Sequence, residues 1–510
     1  MRRALSSKEL IIVLLLLVTK LIIHLVTNTN YEAHRDALLY YSLGEHLSWG
    51  YVSVPPLIAL ISKVSVGLFG NTTFALRFFP MLIGLLSIIV ISDIILHLGG
   101  RWKAILIAGL AFILSPAFLR SNTLFQPVSF NQFFWLLTMY LVIKMINKNK
   151  PQLWLWIFAV LGLAFLNKYS IVFFGLGLMM ALFLSRYRRL FFTKYFLIGV
   201  ALGLFIVLPN LIWQFEHNWP VIHHMGELYN NQLVYVSTLG FFIDQVMMNF
   251  PGILVWLAGL FVFLFHYKHK KFRFIAFVYL ITFLVLLLNR GKSYYTLGLY
   301  PFLFALGGFA IEKYWNKWAI TILSVFIVST GILMAPVSLP VLSFEKLAEF
   351  TKPIAEYTNR WEDGNIYNIP QDYADMTGWS QLADKVDSCY SSLPKYKQKN
   401  TQIFAENYGA AGAICFFSKH SEIKPISFSD NFVLWAPDSI ISSSLIMIDH
   451  DIDQGLCQYF DTCYVMAQVK DKYFRENGIM VMMYDGAKPQ FNEFYKEQQY
   501  IRKINYKRKN

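Results

Sequence analysis

The sequence predicts a polytopic α-helical membrane protein with a soluble α/β domain at its C-terminal end. Three observations carry this. Of 510 residues, 56% are hydrophobic and only 15% are charged, against about 25% charged in soluble chains, and the mean hydropathy is +0.45. Apolar runs fill the first two thirds, each close to the roughly 20 residues that cross a bilayer core. From about Leu339 the composition turns mixed and polar, and all four cysteines (Cys389, Cys415, Cys457 and Cys463) lie there.

In chain order, "MRRALSSKEL" precedes the apolar run Leu10 to Val26. A signal peptide would show a shorter apolar core and a small-x-small cleavage site, so this reads as a retained first span. Span candidates fall at 9–27, 77–97, 103–119, 128–146, 152–167, 169–185, 195–213, 241–265, 273–289, 294–311 and 317–336, about eleven in all. The pairs around Lys168 and Arg290 are closely spaced, which leaves the count open by one. Cationic loops set the orientation. Arg2, Arg3 and Lys8, then Arg101 and Lys103, Lys144 to Lys150, Arg186 to Lys194, Lys268 to Arg273, and Lys313 with Lys317 mark one side, whereas Gln214 to Gly240 has no Lys or Arg. The rich side and the N-terminus are expected in the cytoplasm, and an odd count puts the tail outside. There disulfides are permitted; Cys457 and Cys463 are the best-placed pair, with four free thiols as the alternative. The net charge of +14 is thus a topology signal and not a nucleic-acid footprint.

The expected domains are a membrane domain over 1–338 and an extracytoplasmic α/β domain over 339–510. The first outer loop, 28–76, contains "HRDALLYYSLGEHLSWGYVSVPPL", far more than a connector needs. Leu39, Leu43 and Leu47 recur at helical spacing. Leu57, Leu60, Ile61, Val64 and Leu68 do so after Pro55-Pro56, which suits a helix start. Two amphipathic helices lying in the interface would form a structured shelf.

Outward cations need reasons. Arg120 sits in "LRSNTLFQPVSFNQFFW", Lys168 in "FLNKYS", and Arg290 with Lys292 in "NRGKSYYTLGLYP"; Arg35 and Lys63 lie on the shelf. Three polar clusters at the outer ends of spans point to one anionic site, with a lipid phosphate as its natural occupant. Snorkelling to head groups explains each cation singly. Asp36 is one of few outward acids near the membrane plane and is the candidate general base; an N-cap or surface acid is the alternative. Glu216, His217, His223 and His224 in "LPNLIWQFEHNWPVIHHMGELYNNQ" invite a metal, but their spacing fits no standard site. No metal ligand is assigned, and a divalent metal stays open. Tyr294, Tyr295 and Tyr300 line the lipid or sugar path, or form an aromatic belt. Asp93 is expected to pair with a neighbouring helix. The tail alternates strand-like "TQIFAENY", "SLIMIDHD" and "IMVMMYD" with helical "GWSQLADKVDSCYSSL". The Asn407-Tyr408-Gly409 turn and Trp435 there either touch acceptor or serve a structural role, the favoured reading.

These stretches resemble the bacterial GT-C membrane glycosyltransferases of the protein O-mannosyltransferase and aminoarabinose-transferase type. The resemblance rests on "RDALLYYSLGEHLSWGYVSVPPLIAL", "PNLIWQFEHNWPVIHHM" and "GKSYYTLGLYP", with "ENYGAAGAICFF" and "NFVLWAP" in the tail. It implies a multi-pass protein of the bacterial inner membrane, a polyprenyl-phosphate-linked sugar donor, and a protein, lipid or glycan acceptor. It maps the catalytic acid onto Asp36. The chain departs at Ala37, where relatives carry Glu, and at Asn131, where many carry an acid. Both bear on acceptor identity and metal dependence. A lipid phosphate is already a good leaving group, so one base and a set of cations suffice. Lys168, Arg290 and Lys292, with Arg35 and Arg120, are the expected phosphate ligands; Asn131, Glu216 and His217 join the tyrosines along the substrate path. A transporter of lipid-linked saccharides is the competing reading, and it would need repeats and broken midplane helices. A receptor using the tail would leave the surface cations unexplained.

Overall fold

The computed structural model describes residues 5–506; Arg2 and Arg3 lie outside them. The chain forms two compact units. One comprises Met1–Asn28, Arg77–Leu211 and Glu227–Val341, the other Thr29–Leu76, Ile212–Gly226 and Leu342–Asn510.

The first unit is helical. Among the described residues six helices are long and apolar enough to cross a membrane: Ser7–Thr27, Thr73–Leu98, Pro127–Lys148, Lys194–Glu216, Ser293–Tyr314 and Lys317–Ser338. The expected span 241–265 is not one straight helix. Thr238–Met248 and Phe250–Phe265 meet at a bend of 80°, and count as a seventh span if taken together. Asn249 and Pro251 explain the break, since Pro251 has no amide hydrogen to continue the ladder. The four remaining candidates are the apolar helices Trp102–Leu114, Leu153–Asn167, Ile171–Phe183 and Arg273–Leu288. They have 13 to 16 residues, shorter than a straight crossing needs, so length and composition alone account for six or seven spans among the described residues.

Small residues let these helices approach. A Cβ at Gly307 would strike the Val255 carbonyl, so helix Tyr300–Tyr314 lies directly on Ile253–Phe265. Trp135 stacks on Phe174 at 4.7 Å in the shared core. Asp93 accepts from the Tyr140 hydroxyl at 3.4 Å, a partner on another helix.

The second unit combines the shelf with the tail. The shelf helices are Arg35–Glu45 and Leu57–Phe69, the latter starting directly after Pro55-Pro56. The first is not the striped interfacial helix expected: Ala37 to Gly44 are all buried. The second does keep an open apolar stripe, with Leu60, Val64 and Leu68 exposed one turn apart. The tail carries a four-stranded sheet in the order β1–β2–β4–β3. These are Thr401–Ala405, Ser444–Asp449, Met480–Asp485 and Thr462–Gln468 respectively, with β1 and β2 parallel and the other pairs antiparallel. Phe491 and Tyr495 of helix Pro489–Lys503 share a core with Met482 and Tyr484 of β4. Cys457 and Cys463 form a disulfide; Cys389 and Cys415 are free.

Candidate active site

Asp36 stands at the head of the shelf helix. His34 caps that helix, its Nδ1 accepting the Asp36 amide hydrogen at 3.1 Å. The carboxylate therefore sits in the first turn, where the helix dipole favours negative charge. It is half-buried, and its Oδ1 accepts from the Tyr408 hydroxyl at 3.0 Å. Burial and the Asp36 charge push the Tyr408 phenol well up, so it stays a donor. Tyr40, one turn along, is held up in the same way, by burial and then by Asp36.

The partner helix Tyr408–Phe417 is brought close by its glycines. Asn407 caps it through the Ala410 amide. A Cβ at Gly409 would lie 2.8 Å from Arg35 Cγ, and one at Gly412 would lie 2.9 Å from the Leu38 backbone. "NYGAAGAI" is thus the device that seats the Tyr408 hydroxyl on Asp36.

A second layer fixes this corner. The Arg35 guanidinium lies 4.4 Å over the Tyr408 ring and 4.0 Å from Glu476. Its amide donates to the Asp375 carbonyl at 2.9 Å. Asp375 is 2% exposed and takes Arg475 at 3.2 Å and His34 at 3.7 Å. Burial raises its carboxyl, opposed by the nearby His34, Arg475 and Arg35 side chains. Glu32 accepts the Trp379 amide at 2.8 Å and the Ser380 amide at 3.2 Å, and burial again raises it. Asp430 is raised by burial too, against the opposing pull of a Ser53 hydrogen bond and of His224.

The remaining expected residues of this unit lie apart from that corner's hydrogen bonds. Glu216 is exposed. His217 Nδ1 donates to the Trp213 carbonyl (2.8 Å), and the imidazole stacks on that indole at 4.0 Å.

In the first unit, the two clusters "FLNKYS" and "NRGKSYYT" meet. Lys168 ends helix Leu153–Asn167, and its Nζ lies 4.9 Å from the centres of both the Tyr294 and Tyr295 rings. Lys292 opens the tight turn Ser293–Leu299 that carries those tyrosines. Asp244 braces the turn, accepting from Ser293 at 2.5 Å. Arg290 is exposed, with φ 51°, and its guanidinium donates to the Val234 carbonyl at 3.1 Å. Arg120 donates to the Val337 carbonyl. Tyr300 is fully buried, its hydroxyl on Gln245 at 2.7 Å. Asn131 accepts from the Trp135 indole at 3.0 Å and is buried. Among the described residues no three His, Cys, Asp or Glu side chains are grouped to hold a metal ion.

Residues 53–213 match the family model of dolichyl-phosphate-mannose-protein mannosyltransferases. The lipid A galacturonosyltransferase RgtD of Rhizobium johnstonii is 26% identical over 198 residues, 38% of this chain. The match spans only 41% of that relative's length. The crystal structure of ArnT from Cupriavidus metallidurans bound to undecaprenyl phosphate superposes with a TM-score of 0.67 at 15% identity, covering 94% of this chain and 98% of that one. The chain has the GT-C fold seen in ArnT. Apo ArnT agrees, with a TM-score of 0.64 over 92% of this chain and 97% of that one at 16% identity. The mycobacterial arabinofuranosyltransferase AftD shares the fold at a TM-score of 0.54 and 10% identity, over 96% of this chain and 42% of that one.

Two features of this GT-C chain escaped the sequence reading. Tyr408 looked structural because its partner lies 372 residues away. Lys20, His24 and Asn28 recur at i, i+4 and i+8 along the buried face of the first span. Lys20 Nζ, His24 Nε2 and both Asn28 amide atoms are buried with no hydrogen-bond partner among the described residues. The four-residue spacing was legible; the apolar run around it hid it.

Proposed function

We propose that this protein is an inverting glycosyltransferase of the bacterial inner membrane. It moves a sugar from a polyprenyl-phosphate-linked donor to an acceptor on the extracytoplasmic face, be it protein, lipid or envelope glycan. The observation that carries this is a half-buried carboxylate, Asp36, aimed by a tyrosine hydroxyl at the head of a capped helix in a chain of ArnT-like fold. The ArnT structure holds undecaprenyl phosphate, which supports the donor class.

In this reading Asp36 takes the proton of an acceptor hydroxyl. That oxygen forms a bond to the anomeric carbon as the carbon–oxygen bond to phosphate breaks, and the electron pair leaves with the polyprenyl phosphate. Attack comes from the face opposite the phosphate, so the centre inverts. Lys168 and Lys292 neutralise the departing phosphate, with Arg290, Arg120 and Arg35 in supporting positions. Tyr294, Tyr295, Tyr300 and Asn131 are assigned to the substrate path, as are Glu216 and His217. The cationic loops support a cytoplasmic N-terminus and an extracytoplasmic tail domain.

The bent pair at Asn249 is the one feature that suits a transporter instead. Broken transporter helices come in corresponding pairs from two repeats, and among the described residues one bent pair passes the span test. Mass spectrometry of envelope glycans and glycolipids from cells with and without the gene tests the proposal. One sugar substituent should vanish with the gene. An unchanged envelope accompanied by trapped lipid-linked sugar on the cytoplasmic leaflet would favour transport.

A further inference from the structure

We infer that a groove between helices Ile171–Phe183 and Arg273–Leu288, at the end opposite the proposed donor site residues of those spans, holds the head group of an anionic phospholipid. The two loops that border it run from Leu184 to Phe196 and from His266 to Phe277. Together they carry Arg186, Arg188, Arg189, Lys194, Lys268, Lys270, Lys271 and Arg273 and not one Asp or Glu. Topology alone asks only that cations be somewhere in such loops. Here three of them, Arg186, Lys270 and Arg273, line one cavity of about 370 Å³ with no acid in its wall.

The cavity is built. A Cβ at Gly177 would collide with the Thr282 side chain, so the two helices are in direct contact at mid-length. Tyr187 ties the loops together: its hydroxyl donates to the Lys271 carbonyl at 3.0 Å and accepts from Arg186 at 3.0 Å, while its ring meets Phe274 edge-on at 5.8 Å. Arg273 Nε is shielded from solvent and has no hydrogen-bond partner among the described residues.

The walls decide between a lipid and a free anion. Leu184 is 76% exposed and Phe277 45% exposed, and both line the groove. A site for a soluble phosphate gains nothing from bare apolar walls. A phosphodiester between three cations, with its acyl chains laid over Leu184 and Phe277, satisfies both halves. Basic pockets between spans on the cytoplasmic side are where such head groups bind.

The test uses the full chain in detergent, titrated with dioleoyl phosphatidylglycerol or dioleoyl phosphatidylcholine and read by native mass spectrometry. The wild type should retain phosphatidylglycerol at least tenfold more tightly. Arg186 and Lys270 are exposed, so the Arg186→Gln/Lys270→Gln variant should fold and lose most of that preference. A control with Lys144, Lys148 and Lys150 changed to Gln, all outside the groove, should keep it. Leu184→Ser should weaken both lipids while sparing the preference. Equal loss in the control would reduce the effect to general charge and overturn the site, as would the absence of any preference. Displacement of the lipid by 10 mM inorganic phosphate (~10 mM as a probe concentration in the range where surface charge is partly screened) would make this a soluble-anion site and also overturn it.

Discussion

Asp36→Asn separates the chemistry from the fold. The change keeps the side chain's shape. The His34 cap acts on the backbone amide of residue 36 and not on its carboxylate, so it survives. The Tyr408 hydroxyl, 3.0 Å from Oδ1, finds an amide oxygen in the same place. What is lost is charge. A hydrogen bond to an ionised group contributes about 1.5–3 kcal/mol and a neutral one about 0.5–1.5. The first-turn charge adds about 0.3–1 kcal/mol against the helix dipole. Folding should therefore weaken by about 1–2 kcal/mol, a few degrees in Tm for a unit of about 150–250 residues. Loss of a general base costs about 10²- to 10⁴-fold in rate, or about 3–5 kcal/mol on the barrier. Transfer of labelled sugar from a polyprenyl-phosphate donor in proteoliposomes, run beside thermal unfolding, reads both quantities. A rate within tenfold of wild type (~1.4 kcal/mol) refutes Asp36 as the base. So does a rate loss that only tracks unfolding.

Four further outcomes follow from the same geometry. Tyr408→Phe keeps the ring under Arg35 and deletes the hydroxyl, so thermal unfolding should show a loss of about 1–2 kcal/mol; an unchanged Tm would mean the hydrogen bond to Asp36 is idle. Lys292→Ala should weaken donor binding about tenfold or more with acceptor KM unchanged, and the reverse pattern would move Lys292 to the acceptor side. Burial pushes the Cys415 thiol up to about 11, so it stays protonated through pH 9 and maleimide should label it only after unfolding; rapid labelling of the native protein at pH 8 would contradict its packing. Lys20→Met replaces a buried, unpartnered ammonium with an apolar chain of like length and should leave stability unchanged or raise it by up to about 3 kcal/mol. A large loss of stability instead would show that Lys20 has a partner the apolar core does not supply.

The membrane spans were legible because hydrocarbon demands length, and the shelf because an Arg-Asp pair and Pro55-Pro56 serve no purpose in a connector. Three of the four tail strands were legible from apolar runs. The missed one, β3, is an edge strand with Thr462, Tyr464 and Val465 exposed, so it lacks the apolar signal of its neighbours. Helix Trp379–Ser392 followed from its periodicity. The shelf helix was mistaken for an interfacial one because Leu39 and Leu43 show only one stripe. The tail covers its other side, and nothing local encodes that. Tyr408 was hidden for the same reason. The first-turn acid names a site, but its partner comes from helix Tyr408–Phe417, whose glycines carry no local sign of the Arg35 side chain and Leu38 backbone they pack against.

The tight seam between Arg35–Glu45 and Tyr408–Phe417 also constrains how such enzymes can be recombined. With Gly409 and Gly412 leaving no room for a methyl group, the outer loop and the tail must change together. A chimaera that trades the tail of this chain for a homologue's, without its matching loop, would import a mismatched surface under the Asp36 carboxylate. Grafts intended to alter acceptor choice should therefore exchange residues 29–76 and 342–510 as one cassette.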